Sequence, residues 1–148
     1  MSPACVRRPL CFLLVALVSA SAGLLAEQGK VPSAVSAWIA APAAGATDAV
    51  AYVEIDNPTM YDIFVLSATA PGTAGKVELR AAAATGAEPA VVTEFPVPSY
   101  GSTSAAAGAP HLRLLELTRP LKAGDAVALT LTTNDGTVLK VSAQVRAQ

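Results

Sequence analysis

Turn-forming residues punctuate this chain too often for helices of ordinary length. Pro42, Gly45, Asn57-Pro58, Pro71-Gly72, Gly86, Pro96, Pro98, Gly101, Gly108, Pro120, Gly124 and Asn134-Asp135-Gly136 follow one another from position 42 onward. Proline removes a backbone donor and glycine loosens the backbone, so each such site ends a regular element. The intervals between them suit strands.

Their residue patterns agree. In "AVAYVEID", Ala51, Val53 and Ile55 alternate with Tyr52, Glu54 and Asp56; in "KVELR", Val77 and Leu79 alternate with Lys76, Glu78 and Arg80. "DAVALTLTT" sets Val127, Leu129 and Leu131 against Ala128, Thr130 and Thr132, and "VLKVSAQVR" sets Leu139, Val141, Ala143 and Val145 against Lys140, Ser142 and Gln144. Period-2 alternation gives each strand one buried and one wet face. The "NDGT" between the last two is an Asx-Gly turn that joins them as a hairpin. "DIFVLSATA" is more continuously apolar, which predicts a central strand. "RAAAATGAE" has helix-forming alanines but is too short to count as an element. "GSTSAAAGAP" reads as a flexible loop that delivers the chain to His111. The expected fold class is all-β, an antiparallel sandwich or barrel.

The first thirty residues obey a different logic. Arg7 and Arg8 precede an apolar run from Leu10 to Val18, and Ala20-Ser21-Ala22 supplies small residues of the A-x-A cleavage type. The run falls short of the roughly 20 residues of a spanning helix, which favours a secretory signal over an uncleaved anchor. The expected organisation is therefore a signal peptide over 1–22, a flexible lead over 23–36 and one β-domain over 37–148. Cleavage after Ala22 would remove Cys5 and Cys11, neither of which follows a lipobox. The remaining domain would have no thiol for a disulfide, a thiolate metal site or a nucleophile, and no membrane span.

Losing Arg7 and Arg8 from 10 basic residues leaves 8 against 11 acidic ones, a formal charge of −3. That balance excludes a basic nucleic-acid face. With 53% hydrophobic and 14% charged residues, the chain has ample apolar surface for a core.

Chemistry-bearing residues are few. His111 is the one histidine, and Met60 the one methionine beyond the signal. No Ser-His-Asp arrangement stands out, so no enzymatic activity is expected. Asp48, Asp56 and Asp62 could in principle hold a hard cation, but without loop-repeat spacing they read as solvated turn carboxylates. Arg113, Arg119 and Lys122 read as a solvated rim. Trp38 and Tyr52 read as core and sheet-face residues rather than a binding platform.

Longer stretches resemble a known family. "PHLRLLE" followed by "LTRPLKAGDAVALTL", the opening "SAWIAAPAAGATDAVAYVEIDNPTMYDIFVLSATAP" and the strand "GKVELR" are similar to the signatures of the periplasmic copper chaperones of the PCu(A)C family, over about Ala37 to Val145. The resemblance implies a cupredoxin-like Greek-key β-barrel, a periplasmic or secreted location, copper as cargo, and a cytochrome oxidase assembly or copper-trafficking partner. A monomer is expected.

The family's copper ligands, two histidines and several methionines, match this chain in one place. Its first His-x-Met falls on Arg80 and Ala82, its middle methionine near Val91 or Val92, and its last His-x-Met on His111, Leu112 and Arg113. Thioethers and imidazole suit Cu(I); guanidinium groups in their place put fixed positive charge where the cation would sit. His111 is thus the single candidate metal ligand, and weakened or lost copper binding is expected. Two other readings of it stand beside that one: a structural or simply exposed histidine, and a member of an Arg80, His111 and Arg113 cluster that contacts an anion or a partner. The corresponding alternative function is a non-metal interaction or anion-binding module on the same fold.

Overall fold

Ten strands and no helix make up residues 30–148, the part of the chain that the computed structural model describes. The expected signal peptide and residues 23–29 of the expected lead lie outside the described residues. In chain order the strands are β1 (Ser33–Ala40), β2 (Ala49–Asn57), β3 (Ile63–Thr69), β4 (Ala74–Arg80), β5 (Val91–Val92), β6 (Phe95–Val97), β7 (Gly101–Ser102), β8 (His111–Leu117), β9 (Ala126–Thr133) and β10 (Val138–Arg146).

They hydrogen-bond in the order β5-β4-β8-β2-β1-β10-β9-β3-β6, with β7 added to the end of β2. All pairs are antiparallel except β1 with β10, where Trp38 lies beside Gln144. Most neighbours in space are distant in sequence, as in Greek-key folds. β3 and β4, adjacent in the chain, pack across the seam and curl the sheet round on itself.

Alternation builds the core as the residue pattern demands. Ala51, Val53 and Ile55 from β2, Val127, Leu129 and Leu131 from β9, and Leu139, Ala143 and Val145 from β10 are all buried. β8 adds Leu112 and Leu114, both with no exposed surface. The β9–β10 hairpin turns at Asn134-Asp135-Gly136, with Gly136 at φ 83°, the left-handed conformation such a turn requires.

Two expectations are corrected. The first strand starts at Ser33 rather than near Ala37, because Ser33 and Ser36 pair with Asp56 and Glu54 of β2. β3 lies between β9 and β6, as expected of a central strand, but it is not buried on both faces. Ile63, Val65 and Ala68 point into the core while Leu66 is 44% exposed, and an irregularity between Val65 and Ser67 resets the alternation.

Candidate functional site

Backbone register sets a row of side chains across the outer face of the sheet. Val91 of β5 pairs with Arg80 of β4, and Arg80 with His111 of β8. The β2–β8 register, continued by one residue, brings Tyr52 beside His111, and Tyr52 pairs with Trp38 of β1. Since i and i+2 share a strand face, a second row runs alongside: Glu78, Arg113 and Val50. The three places where the family resemblance puts copper ligands therefore converge. Val91 is the outward member of its pair, 59% exposed, while Val92 packs against the core.

His111 is 7% exposed although it points away from the core. Its cover comes from neighbours on that face. Tyr52 lies 5.4 Å from it, ring centre to ring centre, and Trp38 stacks on Tyr52 at 4.6 Å. Arg146 caps the array, 5.7 Å from the Trp38 ring. The loop over 103–110 crosses this ladder, tied down where Trp38 Nε1 donates to the Ala105 carbonyl at 2.7 Å and Ala83 N–H donates to that of Gly108 at 3.1 Å. Trp38 and Tyr52 are sheet-face residues, stacked under a loop.

One contact fixes the imidazole's chemistry. Nδ1 stands 2.9 Å from the Ala109 carbonyl oxygen, which can only accept, so Nδ1 carries the proton. Nε2 is left without a hydrogen-bond partner among the described residues. His111 belongs to the lining of an open cleft of about 460 Å3, shared with Asp48, Val50, Arg80, Glu88 and Arg113.

The two arginines are not bare cations. Arg113 directs Nε and Nη2 onto Oδ2 of Asp48, at 3.0 and 2.7 Å, and Nη1 onto Glu88 at 3.2 Å. The bond to Asp48 raises the Arg113 pKa further above its ordinary value. Arg80 donates from Nη2 to Glu78 at 2.7 Å and from Nη1 to the Pro89 carbonyl at 3.0 Å, while its Nε is buried without a partner. Glu78 also accepts from Lys76 at 2.8 Å. Those bonds, that from Lys76 foremost, hold the Glu78 carboxyl below its usual range against the opposing effect of desolvation. The positive field expected beside the copper position is thus largely neutralised, and an anion would have to compete with three carboxylates.

Other candidates stay apart. Met60 lies in the turn beyond the end of β2, and that end, Asn57, is already five residues from the Tyr52 level, about 17 Å at ordinary strand rise. Asp48 is taken by Arg113, Asp62 accepts the Ser99 N–H at 2.7 Å, and Asp56 is exposed. No three His, Cys, Asp or Glu side chains gather as a metal group among the described residues. Arg119 pairs with Asp125 on the rim at 3.3 Å. Asp48 and Glu88 were not legible as site residues, being 65 and 25 positions from the arginine they hold. Glu78 was missed as well, although i and i+2 in "VELR" share a face and could have pointed to it.

A lone imidazole beside two ion-paired arginines stands on the outer face of a cupredoxin-like all-β fold. In comparison with known proteins, residues 33–145 match the family model of the LpqE-like lipoproteins, and the chain belongs to that family. The copper-bound PCuAC domain of PmoF2 has the same fold, with a TM-score of 0.67 at 20% identity over 78% of this chain and 92% of that one. The Cu(I) form of DR1885 from Deinococcus radiodurans is similar at 28% identity, TM-score 0.62, over 84% of this chain and 83% of its own. The apo form of DR1885 matches at 25% identity and TM-score 0.60, over 100% of this chain and 97% of its own. No curated protein matches in sequence.

Proposed function

We propose that this protein is a periplasmic or secreted member of the copper chaperone class whose domain, by itself, holds copper weakly, and whose partner is a copper-trafficking or cytochrome oxidase assembly protein. The likeness to copper-binding PCuAC domains supports the class. The observation that carries the weakness is the outer-face row: where a Cu(I) site needs several soft donors, Val91, Arg80 and His111 stand side by side and only the last can ligate. His111 is nonetheless held as a ligand is held. The Nδ1–H bond to Ala109 selects the tautomer that leaves Nε2 open, the orientation a neighbouring carbonyl gives to metal-bound imidazoles. Tight binding would then require donors from the partner, with His111 as the one contributed here. The domain acts as a monomer and performs no covalent chemistry.

A second reading, a non-metal interaction module, is favoured by one specific feature. The ligand positions are not merely emptied, since Arg80 and Arg113 are each built into ion pairs that organise the cleft. Competition for Cu(I) against a chromogenic chelator under reducing conditions, on wild type and His111→Ala, tests the proposal. Affinity no better than that of a free imidazole, lost in the variant, is the expected result. One tightly held copper per chain would overturn the weak-site reading, and no His111-dependent binding at all would leave the interaction module.

A further inference from the structure

The pole of the barrel at which β1 begins is apolar. Val31, Val35, Met60, Tyr61, Tyr100 and Val138 are each between 51% and 71% exposed. Strand register gathers them at this pole. Ser33 pairs with Asp56 and Asn57 with Gly101, the Tyr100 N–H donates to the Thr59 carbonyl at 2.9 Å, and the parallel β1–β10 register continued backward sets Val138 level with residue 32. The His111 cleft lies on the flank, away from them.

The aromatic tips rest on a rigid frame. Asn57, with no exposed surface, aims its amide nitrogen at the carbonyls of Tyr61, Val97 and Pro98, at 2.8, 3.2 and 3.1 Å, and accepts from Thr59. Tyr100 sits at φ 50°, a left-handed conformation that strains any residue with a side chain. A frame that spends a buried amide and a strained tyrosine to hold two phenols and a thioether in water marks an interaction surface.

Its occupant follows from where the chain enters. Lys30 leads directly into this pole, and the apolar run Leu10–Val18 ends twelve residues before it, so the extended chain between them reaches about 40 Å at most. A bilayer that takes up that run meets this end of the domain first. Tyrosine suits the water–hydrocarbon boundary, with its ring in the apolar layer and its hydroxyl among headgroups. Around the patch Asp56, Asp62 and Asp135 outnumber Lys30 and Lys140, which disfavours anionic lipid. We propose that the Met60, Tyr61 and Tyr100 pole is a docking face for a zwitterionic bilayer surface, engaged while the N-terminal segment is still attached and in the membrane, before the cleavage after Ala22 expected from the sequence. The proposal is independent of whether copper is bound.

Single-tryptophan additions to the full chain test it: Tyr61→Trp and Tyr100→Trp at the pole, Val91→Trp on the flank, with the native Trp38 as the common background. Each is mixed with phosphatidylcholine vesicles carrying brominated acyl chains. The two pole variants are expected to lose much of their added emission while Val91→Trp keeps its own. Adding Met60→Asp, or replacing half the lipid by phosphatidylglycerol, is expected to reduce the loss. Unquenched pole tryptophans, or flank and pole quenched alike, would overturn the assignment and return the patch to a protein partner. Circular dichroism that matches wild type confirms that the variants are folded.

Discussion

Arg113 reaches carboxylates on two separate segments, Asp48 just ahead of β2 and Glu88 in the loop before β5, and so ties the mouth of the cleft together. Both partners of the shorter pair are about one-third exposed, so the pair is screened and its loss is modest. Asp48→Ala should cost up to about 1 kcal/mol of unfolding free energy in urea. Combined with Glu88→Ala, it should also free a guanidinium beside His111, so that the double variant, unlike wild type, retains phosphate in equilibrium dialysis. The same pairing explains what was legible at this scale. His111, Arg80 and Arg113 could be placed from the motif-bearing strands, because strand periodicity fixes which residues share a face. The counter-charges could not, because Asp48 meets Arg113 only through the β2–β8 pairing, a long-range fact with no local signature.

At the scale of elements, the β9–β10 hairpin shows how a turn acquires a pH dependence. The Thr133 hydroxyl and the Thr137 N–H both donate to Asp135 Oδ1, and these bonds, that from Thr133 foremost, hold its carboxyl below the usual range. A folded-state pKa below the unfolded one means stability that is present above about pH 4 and is lost as pH falls through the folded value. Wild type should therefore be more stable than Asp135→Asn at neutral pH, with the gap in melting temperature closing in strong acid. A gap that stays constant down to pH 2 would show that the carboxylate's charge is irrelevant to the turn. Strands with clean alternation, β2, β9 and β10, were legible for the reason that makes them stable: one face of each meets the core. β3 was legible as a central strand but not in its faces, since a continuous apolar run says nothing of the irregularity that turns Leu66 outward. Nor was the start of β1, whose first residues are small and polar and are held by pairing with β2 rather than by burial.

For the whole molecule, the fold separates two surfaces: a charged flank where the ladder Arg146, Trp38, Tyr52 and His111 meets the Arg80 and Arg113 ion pairs, and an apolar pole at the chain's entry. Conserving a barrel while exchanging the groups on its outer face is physically inexpensive, because the core residues Leu79, Leu112 and Ala51 point the other way along the same strands. Val91, Arg80 and His111 can thus occupy a ligand row without disturbing the packing beneath it. On the proposed reading this row is a copper site in position and not in chemistry. The most direct measurement restores the chemistry: Arg80→His, Val91→Met and Arg113→Met combined, titrated with Cu(I) beside wild type under the same chelator competition. One tightly bound copper per chain is expected in the restored variant, and only weak, imidazole-like binding in wild type. Equal affinity in the two proteins, at either extreme, would contradict that reading.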